Sequence, residues 1–238
     1  MNYFLILTFL FAVGSMTGWG IEVIYRRFFS QKHWVNPGFL AGPCLPLYGF
    51  SLCILYLLAQ TEDSIPVAHT VLRKLLLFAL MAIAVTALEY AVGRIMIGVM
   101  HLRLWDYSDR WGNIGGIICP LFSFFWMVLS ALYYFLVHPH ILEALRWLSQ
   151  NLAFSFGIGF FYGIFVIDFT YSAQIVRKIR AFADEKQIVV RLEGLREEIR
   201  QSREQRRLRF LLSLRTERPL PEILEEYSEK LRALYLKK

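Results

Sequence analysis

Apolar residues fall in long runs along this chain, and a helix needs about 20 mostly apolar residues to cross a bilayer core. Five runs qualify: Tyr3–Tyr25, Leu45–Ala59, Leu72–Met100, Ile117–Val137 and Leu152–Ile175. The second is short unless it starts inside the Pro43–Pro46 stretch, and the third is long enough to tilt. Ser64 and Pro66 offer that third helix a capping hydroxyl and a first-turn proline. No basic stretch precedes the first run and no small-residue cleavage site ends it, so it reads as an uncleaved span. From Ile175 the pattern changes. Ile175, Ile179, Phe182, Val189, Leu192, Leu195 and Ile199 recur at three-to-four or seven spacing, which predicts an amphipathic helix continuing from the last span. Pro219 and Pro221 break it, and Leu224, Tyr227, Leu231 and Leu234 predict a short final helix. The fold expected is all-α: a polytopic membrane helical bundle of about five transmembrane helices, with irregular cytoplasmic-side loops and a cytosolic helical tail. Its parts are a transmembrane domain, 1–175, and a basic amphipathic tail, 176–238.

Charge sharpens that division. Of the 238 residues 56% are hydrophobic and 19% charged, against roughly 25% charged in a soluble domain. Residues 1–175 hold nine Lys/Arg and eight Asp/Glu, whereas 176–238 hold seventeen and eleven. Cys44, Cys53 and Cys119 lie in or beside apolar runs, which excludes an extracellular disulfide scaffold. Lys/Arg in the connections set orientation. Arg26, Arg27 and Lys32 in the first, Arg103 and Arg110 in the third, and the tail all favour the cytoplasmic side. Five spans then place the N-terminus outside and the C-terminus in the cytoplasm of a cell-membrane protein. An even number would put both termini on one side and make one segment re-entrant.

Charged side chains within spans cost about 2.5–3.5 kcal/mol each on insertion scales, so Glu22, Glu89, Arg94 and Asp168 each need a reason. Glu22 and Arg26 are four apart and can pair on one helix face, whereas Glu89 and Arg94, five apart, cannot face each other well. These groups either fix helix packing as bundle-facing pairs or line a polar site. Two connections favour a site. Between Lys32 and Gly49 prolines and glycines exclude a continuous helix, yet the stretch is too apolar for a solvated loop. Irregular backbone at membrane depth is tolerated where protein covers it or where it lines a cavity. Leu104–Gly116 mixes interfacial aromatics with carboxylates. Its tryptophans fit an aromatic belt, and Asp106, Asp109 and Asn113 fit caps for the next helix. The candidate substrate-binding residues are Glu22, Asn36, Glu89 and Asp106, with Arg26 and Arg94 as counter-charges and Tyr48 and Tyr107 as hydrogen-bonding partners.

The residues at these stretches resemble the ABC transporter permease family of the CmpB type. The resemblance rests on Gly18-Trp19, Glu22 and Tyr25-Arg26-Arg27, then on Gly-Phe-Leu-x-Gly-Pro-x-x-Pro-x-Tyr-Gly from Gly38 to Gly49 with Asn36 before it. Leu88-Glu89-Tyr90, Trp105-Asp106-Tyr107-Ser108, Asn113 and Ile118-Cys119 complete it over about residues 14–139. Pro37 stands where the family is expected to carry an arginine, and Ile117 where it tends to carry a basic or polar residue. If those groups hold an anion in relatives, that contact is altered here.

The resemblance implies a transmembrane transporter component. The sequence contains no Gly-x-x-x-x-Gly-Lys-Ser/Thr phosphate loop, so such a transporter needs a separate cytosolic ATPase subunit. The Glu-Ala-Ala coupling signature of importer permeases is also missing. Two other classes stay open. One is a membrane enzyme acting on a lipid or lipid-linked substrate, with Glu22, Glu89 and Asp106 as acid/base or headgroup-binding groups. The other is a scaffold or sensor that recruits partners through its tail. The five histidines are scattered, and His138 and His140, flanking Pro139, make a poor metal pair. No cofactor is expected. The tail's apolar stripe can pack on itself or on a second copy in a homo-oligomer, and its basic face, with five arginines in 200–209, suits anionic lipid. Nucleic acid is not expected, because aromatics do not interleave with the arginines.

Overall fold

A computed structural model describes residues 2–201 and 219–235. The arginine-rich stretch from 202 onward and the side chains of Arg200, Leu231 and Leu234 lie outside the described residues. Among the described residues the regular structure is helical, apart from two two-residue strands, with irregular connections between the first and second α-helices and between the third and fourth. Helix α1 is Tyr3–Tyr25 and runs into a π-helical turn at Arg26–Ser30. Next come α2 (Pro46–Ala59), α3 (Thr70–Met100), β1 (Leu102–Arg103), α4 (Pro120–Leu132) and α5 (His138–Gln150). Helices α6 (Ser155–Lys186), α7 (Leu192–Gln201) and α8 (Leu220–Tyr235) follow, with β2 (Val190–Arg191) between α6 and α7.

Among the described residues four helices are long and apolar enough to cross a membrane: Tyr3–Ser30, Thr70–Met100, Pro120–Gln150 and Leu152–Lys186. Helix α2 has 14 residues, about 21 Å at the helical rise, against a hydrocarbon core of about 30 Å. Both α2 and α4 begin with a proline after an extended residue, Leu45 or Cys119, so the missing proline N–H falls where no helical partner exists anyway. Three boundaries differ from expectation. Helix α3 starts at Thr70 instead of beside Ser64, which belongs to a short 3-10 turn. The fourth span does not stop at Val137, because α4 continues into α5 through a π-helical turn, Tyr133–Val137. Pro139 lacks an N–H and would crowd the carbonyl one turn back, and the wider turn absorbs that defect without ending the helix. The third difference is that the tail is not one helix.

The chain forms two compact units. The first holds residues 1–19, 44–92 and 107–165. Its core includes Leu10, Leu55, Leu77, Met81, Val85 and Trp126. Its outer face carries exposed Phe124, Phe135, Phe156 and Phe160, an apolar surface suited to lipid instead of water. Gly14 and Gly18, four apart on α1, seat that helix directly on α2. A Cβ on Gly18 would lie 2.2 Å from Cβ of Tyr48, and one on Gly14 would lie 2.8 Å from Cβ of Leu52. Small residues at this spacing let helix backbones approach closely in an apolar medium.

The second unit holds residues 20–43, 93–106 and 166–238. Its core joins Leu102 to Ile179, Leu192, Leu195, Ile199 and Leu224. Helices α3 and α6 end alike here. His101 and Gln187 adopt left-handed backbone (φ 49° and 53°), the usual way to stop a helix, and each is soon followed by a strand. The strands pair in parallel, Leu102 opposite Val190 and Arg103 opposite Arg191, with Val190 N–H donating to His101 O at 3.0 Å. The segment read as a continuous amphipathic helix thus breaks at Gln187. Its predicted apolar positions Ile179, Leu192, Leu195 and Ile199 are nonetheless fully buried.

Candidate functional site

The eight candidate residues fall into two groups, one per unit. Glu89, Tyr48 and Tyr107 belong to the first. Glu89 sits in mid α3, where successive turns present Met81, Val85 and Glu89 at four-residue spacing to the core, and it is only 4% exposed. Tyr107 donates its hydroxyl proton to Oε1 at 3.1 Å. Trp126 of α4 donates its indole N–H to Oε2 at 3.0 Å. Each donor is itself held. Tyr107 stacks on Phe122, with centroids 4.3 Å apart, and Tyr48 packs on Trp126 at 5.6 Å. A carboxylate taken out of water costs several kcal/mol, and aimed donors on both oxygens are the arrangement that makes its burial tolerable. The cluster provides a fixed acceptor in an apolar bundle, able to hold a proton, a cation or a donor group.

Trp126 was not among the sequence candidates. A tryptophan in mid-span, away from both interfaces, has an N–H that must find a partner, and that signal was available.

Glu22, Arg26, Asn36, Arg94 and Asp106 belong to the second unit. Arg26 is 9% exposed. Its Nε donates to Glu22 at 2.9 Å across one helical turn, and its Nη1 donates to Glu193 of α7 at 2.5 Å. Asn36 is fully buried and donates to the carbonyls of Leu40 (3.2 Å) and Ala41 (2.8 Å), folding the irregular connection on itself. That connection is then fastened to α6, where Asp168 accepts from the amides of Ala41 and Gly42, both at 3.0 Å. The Ser172 hydroxyl joins them, 3.2 Å from Asp168 and 3.1 Å from the Ala41 amide. Asp168, singled out as a costly intramembrane charge, therefore satisfies backbone donors that the prolines and glycines prevent from forming a helix.

Asp106 does not cap a helix. It joins Arg103 at 2.9 Å and Arg191 at 3.3 Å, bracketing the two strands. Asn113 instead organises its own turn, donating to Ser108 O and Arg110 O and accepting from Gly116 N. Arg94 is exposed on α3, about 140° round the helix from Glu89.

The family model described as "Putative ABC-transporter type IV" matches residues 9–173. The chain belongs to this family. No curated protein and no solved structure matches it. The matched segment takes in all eight candidate residues, Trp126 and Asp168, and leaves α7 outside. Among the described residues no group of three or more His, Cys, Asp or Glu side chains could hold a metal ion. His138 hydrogen-bonds Tyr133 at 2.8 Å and His140 lies 3.8 Å from Glu143. The chain is thus a multi-pass membrane protein of an ABC-transporter family.

Proposed function

We propose that this chain is the permease-like transmembrane component of a transporter, with ATP hydrolysis supplied by a separate cytosolic ATPase subunit. The observation that carries the reading is Glu89. A buried ionisable side chain held by aimed donors inside an apolar bundle is a hallmark of substrate and ion pathways. Glu89, Tyr107 and Tyr48 form the binding side of the site in this reading. Family membership supports it, and a separate ATPase fits a sequence that carries no phosphate loop.

The same reading keeps 1–175 as the transmembrane domain and 176–238 as cytosolic, with the N-terminus outside. Helices α1, α3 and α6 each begin among residues of the first unit and end among residues of the second. Taking the apolar run at 45–59 as a further crossing beside the four long helices gives the odd number of spans this reading needs. The basic connections and tail then lie on the cytoplasmic side, where the second unit offers the ATPase its docking body and the tail meets anionic lipid.

An acid/base role in a lipid-modifying enzyme is less well supported. Glu22 and Asp106 each sit 2.9 Å from an arginine, where each joins parts of the fold. Affinity purification in mild detergent, with mass spectrometry of what is retained, tests the proposal. A stoichiometric nucleotide-binding ATPase, lost on removing 176–238 or on altering 32–43, is the expected result. A preparation that retains only this chain and lipid overturns it.

A further inference from the structure

Helix α7 carries Glu193 and Arg196 three residues apart, on one face. Glu193 reaches Arg26, so its helix brings Arg196 up beside the same guanidinium. Arg196 is 8% exposed. A guanidinium has five N–H donors, yet among the described residues the hydrogen bond Arg196 makes runs from Nη2 to the carbonyl of Gly38, and its buried Nε has no partner there. Arg26 is supplied quite differently, with Glu22 on Nε and Glu193 on Nη1. Two buried arginines thus stand near one another, and both neighbouring carboxylates are taken by one of them. Burial first, and then the charge of Arg26, pull Arg196 down to about 9, with Glu193 opposing. Among the described residues Arg196 forms no ion pair of its own. An arginine with no purpose there is readily replaced, since a buried charge is less stable than an apolar side chain of its size.

What would complete the cluster follows from its donors. It must carry negative charge and present several oxygens, because each guanidinium fork offers several N–H donors. Arginine forks match phosphate in this way. Glu193, whose side chain is 43% exposed, is the one member with room to move. We propose that Arg196 and Arg26, beside the Gly38 carbonyl, bind a phosphate group, and that Glu193 is the carboxylate this anion displaces. The site belongs to the second unit and Glu89 to the first, and the proposal does not depend on the transport reading. Arg196 also lies outside the family-matched segment.

The full chain in neutral detergent is titrated at constant ionic strength with inorganic phosphate, and separately with mixed micelles of phosphatidylglycerol or phosphatidylcholine, reading thermal stability. Saturable stabilisation is expected, about tenfold or more weaker in Arg196→Lys, which keeps the charge and loses the fork. Glu193→Gln, which removes the competitor, binds several-fold tighter. If inorganic phosphate suffices, the ligand is a free phosphate compound. If only phosphatidylglycerol acts, with the same response to the variants, it is a lipid headgroup. The proposal is overturned if neither probe saturates, or if Arg196→Lys and Glu193→Gln both respond like the native chain. It is overturned equally if Arg196→Met is more stable and no probe stabilises the native chain, which makes Arg196 a clamp on Gly38. If Arg196→Met does not fold, the Lys and Gln variants decide alone.

Discussion

Replacing Glu89 tests whether its carboxylate serves the fold or something else. In Glu89→Gln the amide keeps the shape. Its oxygen can face the Trp126 indole, which only donates, and its NH2 can face the Tyr107 hydroxyl, which accepts by rotating. Two charge-assisted bonds of roughly 1.5–3 kcal/mol become neutral ones of roughly 0.5–1.5, while the desolvation cost of a buried charge, several kcal/mol, disappears. The net change is near zero or favourable. Glu89→Leu strands both donors at about 1–3 kcal/mol each, together about 2–6. Trp126→Phe removes one charge-assisted bond and should cost about 1.5–3 kcal/mol. At about 2–4 °C per kcal/mol for a chain of this size, melting by fluorescence size-exclusion should rank native and Glu89→Gln together, then Trp126→Phe, then Glu89→Leu. Such a ranking would mean that the negative charge is kept for function. If Glu89→Gln melted with Glu89→Leu, the two-donor account of this residue would be refuted.

Two further perturbations read the fastenings. Asp168→Ala leaves the Gly42 amide without its acceptor, at about 1–3 kcal/mol, and the Ala41 amide with Ser172 Oγ alone, and limited proteolysis between 36 and 45 should speed up while Asp168→Glu stays nearer native. Gly18→Leu drives a side chain into Tyr48 and should cost about 1–3 kcal/mol or more; unchanged melting would mean that α1 does not lie on α2.

What could be read from the sequence was whatever is local. Apolar runs located the long helices, four-residue spacing gave the Glu22–Arg26 pair, and prolines and glycines marked 36–44 as irregular but covered. The remainder depends on partners far along the chain. Nothing near Ala41 announces Asp168, and the break at Gln187 makes sense only once Val190 has Leu102 to pair with. Helical periodicity survives such a break, because the same apolar residues stay buried whichever element carries them. The eight site candidates were grouped by chemistry alone, and the fold divides them between two units.

The Asp168 clasp also imposes a timetable. Ala41 leaves the ribosome 127 residues before its acceptor, a delay of about 6–25 s at 5–20 residues per second. Throughout that interval the connection after α1 has two backbone donors awaiting a carboxylate that arrives only with the last long helix. The irregular segment can therefore be sealed only near the end of synthesis, and a chain halted earlier offers membrane quality control an unfinished loop to recognise.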